Sequence, residues 1–146
     1  MSAQSQLAQG ETTTRSYLLA ASASFVHGDF VSGVGIPFCT LPVGAVVIGG
    51  YVDITIAWDG VTSSSLEIGD ATDPNEYVSA LDATAIAITE FSLSNMFDAA
   101  GAITPKILTT TDEILIEITD VGARTLGAGN AAMFYFDPSK ADENYE

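Results

Sequence analysis

The stretch that decides the fold runs from residue 45 to residue 58 and reads AVVIGGYVDITIAW. It is rich in valine and isoleucine, which are enriched in β-strands. After Gly49-Gly50 the apolar side chains fall on every second residue, so one face of a strand carries Val52, Ile54, Ile56 and Trp58. Asp59-Gly60 predicts a tight turn, after which residues 64–68 return as the partner strand of a hairpin.

The same period of two recurs on both sides of this stretch. Residues 17–26 alternate cleanly, and the face with Leu19 and Phe25 is the better candidate for the core. Residues 36–41 form a short piece broken by Pro37, which suits the edge of a sheet. Further strands are predicted at 85–91, 104–111, 114–119 and 131–136, and residues 122–130 are predicted to be a glycine-bearing connection.

One segment breaks the strand pattern. Asp73 precedes Pro74, and Tyr77 and Leu81 are four residues apart, which predicts one short helix over 73–81. The total is about eight strands with at most one short helix. We therefore expect an all-β fold, an antiparallel β-sandwich or jelly-roll-like domain over residues 15–138. Residues 1–14 are predicted to be a flexible arm and residues 139–146 an acidic tail.

Composition excludes several classes of protein. The chain has 146 residues, 47% of them apolar, and 19 acidic residues against 4 basic ones give a net charge of −15. This hydrophobicity argues against disorder, and so few cations disfavour direct binding to nucleic acid or an anionic membrane. The charge-free run 30–52 contains two prolines and five glycines, which disfavours a membrane span. The first ten residues have neither a basic start nor an apolar core, so we expect no signal peptide and synthesis in the cytoplasm.

The charge is distributed very unevenly along the chain. Residues 1–52 carry Glu11, Asp29 and Arg15, a net of −1, whereas residues 53–146 carry 17 acids and three bases, a net of −14. Interface cores are depleted in charge, so the opening third is a candidate contact surface for other chains. The alternative is that this third supplies central strands of the core, and both can hold. The acidic remainder is predicted to face solvent.

Candidate chemistry is sparse. The single histidine, His27, and the single cysteine, Cys39, limit a nucleophile and base pair to these two or to a serine with His27. Oxygen ligands crowd a seven-residue segment that could bind Ca²⁺, although an EF-hand spacing is missing; these are Asp70, Asp73, Asn75 and Glu76. We assign no catalytic, cofactor-binding or metal-binding residue and expect a protein that is not an enzyme and uses no cofactor.

Several segments together resemble a small β-sandwich structural protein of tailed bacteriophages. Leu41-Pro42-x-Gly44-Ala45-Val46-Val47 opens a long strand, and Trp58-Asp59-Gly60 follows at the turn. Later come Leu66-x-Ile68-Gly69-Asp70 and Asp73-Pro74-Asn75-x-Tyr77, and the chain closes with Ala131-Ala132-Met133-Phe134-Tyr135-Phe136. The resemblance is greatest to capsid decoration, or cement, proteins.

The resemblance implies a virion component on the capsid exterior. Such a protein would bind the major capsid protein as a homotrimer, stabilise the lattice and contact neither nucleic acid nor membrane. The interface candidates come from the charge-poor third and are Tyr17, Leu19, Phe30, Val31, Ile36 and Phe38. The alternative is a tail fibre or spike module that binds a host glycan through aromatic side chains, with Tyr51, Trp58 and Tyr135 as its candidates.

Overall fold

The computed structural model describes residues 17–92 and 107–137, which form one antiparallel sheet of six strands. A single turn of 3₁₀ helix, His27–Asp29, follows the first strand. The all-β antiparallel class predicted from the sequence is confirmed. The strands are β1 (Tyr17–Val26), β2 (Ile36–Leu41), β3 (Val46–Gly69), β4 (Val78–Asp82), β5 (Ala87–Ser92) and β6 (Asp112–Asp137).

Two long strands organise the molecule. β3 has 24 residues and β6 has 26, and they pair from Val46 opposite Phe136 to Gly69 opposite Leu115. A straight 26-residue strand would span about 85 Å, whereas a folded chain of this length has a radius of gyration of about 15 Å. The pair must therefore bend, and its register shifts repeatedly between Ile54 and Ser63.

The bend divides the sheet into two layers that share β3 and β6. In the first layer the order is β1-β6-β3-β5, and in the second it is β2-β6-β3-β4. The inner faces of both layers contribute to one hydrophobic core, as in a β-sandwich. The described residues form six strands and not the predicted eight or so, because β3 and β6 each run continuously through both layers.

The predicted hairpin at Asp59-Gly60 is wrong. The chain continues through this dipeptide within β3, and Gly60 adopts a φ of +80° where β3 passes from one layer to the other. In the same way, residues 122–130 do not connect two strands but lie inside β6. An Asp-Gly dipeptide is compatible with a bend in a strand as well as with a reversal of the chain. Here the chain bends and does not reverse, because β6 bends alongside β3 and stays paired with it.

The predicted helix over 73–81 is also wrong. The Oδ1 atom of Asp70 accepts hydrogen bonds from the backbone N–H groups of Thr72 and Asp73 at 2.6 and 2.7 Å, which holds a turn. Val78 then pairs with Ile68 and begins β4. A helix over this segment would need the N–H of Tyr77 for the carbonyl oxygen of Asp73, but this N–H donates to the carbonyl oxygen of Ile68 at 2.9 Å. Of the predicted strand 104–111, Ile107 makes an isolated bridge to Val46, and residues 108–111 are not in a strand.

The core confirms the predicted face of β1 and most of the deciding stretch. Phe25 is buried, and the opposite face of β1 is exposed. Phe25, Phe30 and Trp58 form an aromatic cluster with ring centroids 5.7 to 6.4 Å apart. Of the four residues predicted to share one face, Val52, Ile54 and Trp58 are buried, whereas Ile56 is half exposed, because the register shifts on both sides of it. The arm 1–14, the tail 139–146 and residues 104–106 lie outside the described residues.

Candidate interaction surface

The outer side of the first layer carries few charged residues. Residues directly opposite one another in an antiparallel pair lie on the same face of the sheet, so the register of β1, β6 and β3 identifies this surface. We call it the neutral face; its members are Leu18, Ala20, Ser22, Ser24, Val26, Tyr51, Ala128, Asn130, Ala132, Phe134 and Phe136. Asp53, directly opposite Asn130, and Glu90, directly opposite Tyr51, lie on the same side of the sheet and are the two charged residues of this face. Small side chains on β1 leave the sheet open to close approach by another chain.

An aromatic pair lies at the centre of the neutral face. The rings of Tyr51 and Phe134 are 6.4 Å apart and tilted by 53°, and Tyr51 is 37% exposed. A depression of about 430 Å³ adjoins the pair, and its lining includes Gly49, Gly50 and the acidic residue Glu90. A Cβ at Gly49 would lie 2.6 Å from the carbonyl oxygen of Phe91, so no side chain can fill this space.

A second depression lies on the other side of Tyr51. It measures about 240 Å³ and is lined by Ser22, Ser24 and Asn130 together with neighbouring small side chains. The hydroxyl of Ser24 donates to the Oδ1 atom of Asn130 at 2.7 Å, which fixes the amide orientation across the β1–β6 pair. The neutral face therefore offers two shallow recesses around one exposed ring, with both hydrogen-bonding and apolar groups.

The outer side of the second layer is acidic. Glu67 and Glu117 lie directly opposite each other on β3 and β6, and Glu113 and Asp82 lie on the same side. Burial, followed by the charge of Glu117, raises the pKa of Glu67 above its ordinary value, while a backbone hydrogen bond from Ala80 opposes the shift. We call this surface the acidic face. The two outer faces of the sandwich thus differ sharply in charge.

Three further carboxylates meet at the end of the second layer. Oxygens of Asp70, Glu76 and Asp112 lie within 4.8 Å of one another, and the pKa of Tyr77 beside them is raised by burial and by these charges. Such oxygens are ligands that hard cations accept. Asp70 and Glu76 belong to the predicted calcium segment, whereas the side-chain amide of Asn75 faces Ser79 at 3.5 Å. Asp70, Glu76 and Asp112 each take part in interactions within the protein.

The interface candidates from the sequence occupy different environments. Val31 is 68% exposed, in the turn that follows β1. Leu19 lies on the inner face of β1, and Ile36 and Phe38 pack in part against the core. Phe30 is buried in the aromatic cluster and is therefore a core residue, not an interface residue. Tyr17 begins β1, and its side chain lies outside the described part of the chain.

The three glycan-binding candidates are not brought together. Tyr51 lies on the neutral face, whereas Tyr135, opposite Val47, lies on the inner face of the same layer. Trp58 is only 2% exposed, so neither face of its indole is available for stacking on a sugar. Burial of Trp58 follows from its place at the bend, where it packs against Phe25, Phe30 and Gly127.

The candidate nucleophile is poorly activated. Burial raises the pKa of Cys39 to about 11, so its thiol is protonated at neutral pH. Cys39 lies in β2 opposite Ile114, and its side chain contributes to packing around the core. His27 begins the 3₁₀ turn after β1. No helix among the described residues is long and apolar enough to cross a membrane.

Sequence reasoning missed one polar network. Arg124 forms an ion pair of 2.9 Å with Asp120 and donates to the carbonyl oxygen of Phe30 at 2.8 Å. Asp120 also accepts a hydrogen bond of 2.6 Å from the hydroxyl of Ser64, and its N–H donates to Ser32 at 2.8 Å. The network ties the turn after β1 to both long strands. Its only sequence signal is a lone arginine in a strongly acidic stretch.

Chains in phage capsids share this fold. A chain of the cyanophage Pam1 capsid asymmetric unit matches with a TM-score of 0.64 and 18% identity, covering 84% of this chain and 86% of that one. A chain of the acidic stable capsid of Helicobacter pylori bacteriophage KHP30 matches with a TM-score of 0.58 and 20% identity, covering 83% and 88%. A chain of the capsid of Ralstonia phage GP4 gives 0.58 and 15%, covering 84% and 83%. Neither protein-family models nor curated protein sequences match the chain.

Proposed function

We propose that the chain is a head decoration, or cement, protein that binds the outer capsid surface of a tailed phage as a homotrimer and stabilises the major capsid lattice. The observation that carries the proposal is the fold. More than four fifths of the chain superimposes on chains taken from three phage capsid structures, and similarly large shares of those chains are covered. A shared fold alone does not give a function, so the proposal also draws on the surfaces of this chain.

The segregation of charge supports a role at an interface. Tight protein contacts exclude charged side chains from their centre, and aromatic side chains are enriched there. The neutral face has an aromatic pair, Tyr51 and Phe134, and carries few charges, although Glu90 lies directly opposite Tyr51. The acidic face carries facing glutamates, Glu67 and Glu117, which favour exposure to water. We therefore propose that the neutral face contacts the capsid and the acidic face points outward.

Binding to undecorated expanded heads tests the proposal. The purified protein is mixed with heads of the phage that encodes it, and bound protein is measured after sedimentation. We expect saturable binding of hundreds of copies per head and a higher temperature of head disruption. Tyr51→Glu should weaken binding at least tenfold, whereas the matched change Thr119→Glu on the acidic face should not. Absence of wild-type binding would overturn the proposal.

A glycan-binding tail module is the second candidate, and one observation favours it. The exposed ring of Tyr51 adjoins a depression of about 430 Å³, a form that can stack on a sugar. Copy number separates the candidates, because a cement protein is present in hundreds of copies per virion and a fibre module in a handful. A glycan array with wild type and Tyr51→Ala tests sugar binding directly. Sedimentation equilibrium of the free protein tests the trimer.

A further inference from the structure

The four edge strands of the sandwich are not equally protected against pairing. β2 contains Pro37 and a register shift next to it. β4 has five residues and a register shift, and Ala80 within it has a φ of +52°. β5 has six residues and carries the exposed charge of Glu90. Proline, bulges, short length and charge are the devices by which proteins prevent unwanted strand pairing.

β1 lacks every one of these devices. It has ten residues, YLLAASASFV, without charge, proline or glycine. Its register to β6 runs without a shift from Tyr17 opposite Asp137 to Val26 opposite Ala128. Among residues 17–92 and 107–137, β1 pairs with β6 on one side only. A long, regular and uncharged edge presents a row of backbone donors and acceptors to another strand.

We propose that the open edge of β1 takes an extended segment of a neighbouring major capsid subunit as an additional strand of the sheet. The proposal rests on the proposed function and names the contact through which that function is exerted. The segment would be about ten residues and 33 Å long, with uncharged side chains where it meets Ala20, Ser22 and Ser24. Backbone hydrogen bonds would supply affinity, and the small side chains of β1 would select small neighbours.

A second copy of the chain fits this edge less well. Head-to-tail pairing in a closed trimer would require β1 of one copy to meet another edge of the next copy, and β2, β4 and β5 are each protected. The other way in which two copies could pair joins β1 of one copy to β1 of the other about a twofold axis. This arrangement produces a dimer and leaves no β1 edge free for another chain. A trimer on the capsid therefore leaves β1 available to a different chain.

Hydrogen exchange of the intact protein, free and bound to undecorated heads, tests the proposal. In the free protein, alternate amides of β1 face the open edge and should exchange rapidly, while those facing β6 are protected. On binding, we expect the rapid set to slow at least tenfold. The amides of β5, the other edge of the same layer, are the internal control and should change little.

The outcomes separate the two proposals. Binding to heads without new protection in β1 overturns this inference and leaves the proposed function standing. Failure to bind heads overturns the proposed function and the inference together. Protection of all β1 amides in the free protein, or a twofold dimer in sedimentation, also overturns the inference, because the edge would already be covered.

Proline variants give a second readout. Ala21 and Ser22 are adjacent, so the N–H of one faces the open edge and the N–H of the other faces β6. Proline at the outward position should leave the fold intact and weaken head binding at least tenfold, because it removes a donor that only the added strand uses. Unchanged binding by a folded outward variant would overturn the inference.

Discussion

Arg124 and Asp120 form an ion pair of 2.9 Å across the bend of β6, with the Asp120 side chain only 2% exposed. Gly122, between them, has a φ of +112°, which turns the strand so that residues four apart can meet. The same arginine reaches the carbonyl oxygen of Phe30. One cation therefore fixes both the bend and the turn that follows β1.

Replacing this cation should be costly. Arg124→Met leaves the carboxylate of Asp120 buried without its counter-charge, and we expect the free energy of unfolding to fall by about 3 kcal/mol. Urea unfolding followed by the fluorescence of Trp58, the single tryptophan, measures the change. Thr125→Ala, at the exposed neighbouring position, is the control and should change little. Equal stability of the two variants would contradict the assigned role of the ion pair.

Gly127 should tolerate no side chain. It has a φ of +148°, and a Cβ there would overlap the indole of Trp58. Gly127→Ala should therefore lower the free energy of unfolding by about 2 kcal/mol. Gly28→Ala is the matched control, because nothing lies within 4 Å of its Cβ position. A thermal unfolding curve for Gly127→Ala that coincides with that of Gly28→Ala would count against this packing.

The facing glutamates should make stability depend on pH. The pKa of Glu67 is raised in the folded state, so the folded protein binds this proton more tightly than the unfolded one. Stability should therefore increase as the pH falls through the folded pKa and decrease above it. At pH 7, Glu67→Gln removes the repulsion from Glu117 and should add about 0.5 kcal/mol of stability.

Urea titrations at pH 7 and pH 4 measure this effect. The advantage of Glu67→Gln should shrink at the lower pH, where the native carboxyl takes up its proton. Glu113→Gln is the control, because Glu113 lies on the same face but opposite Thr40 rather than another acid. A Glu67→Gln variant that is less stable than wild type at pH 7 would refute the assignment.

The thiol of Cys39 should react slowly in the folded protein. Burial raises its pKa from 9.0 to about 11, which lowers the thiolate fraction about 100-fold near neutral pH. A colorimetric disulfide reagent at pH 8 should therefore react far more slowly with native protein than with protein unfolded in urea. A small thiol peptide in the same urea solution controls for the reagent. Similar rates in the two states would show that Cys39 is open to solvent.

Local pattern predicted two of the short strands, β1 and β2, well. The alternation of residues 17–26 and the prolines around residues 36–41 gave the bounds of β1 and β2 as the structure has them. The continuity of β3 and β6 was missed, because Asp59-Gly60 has the same local chemistry whether the chain reverses or bends. That choice depends on β6, more than 50 residues away in sequence, which pairs with both sides of the bend.

The candidate surface was predicted only in part. The unequal distribution of charge along the sequence pointed to the opening third, and β1 does contribute to the neutral face. The rest of this face comes from Tyr51 in β3 and from β6, near the far end of the chain, while β2 is an edge strand of the second layer. Phe30 and Trp58 were assigned to surfaces because apolar character alone does not separate a contact residue from a core residue. Register and the bend decide which aromatic rings are enclosed.

The shared strands also determine how the molecule would respond to mechanical force. Since β3 and β6 run through both layers, tension applied to one layer passes to the other along the peptide backbone, and not only across packed side chains. Pulling the layers apart would require β3 and β6 to be stripped from each other or from their edge strands. The sandwich is in this sense one continuous pair of long strands, bent where Gly60 and Gly122 adopt positive φ angles.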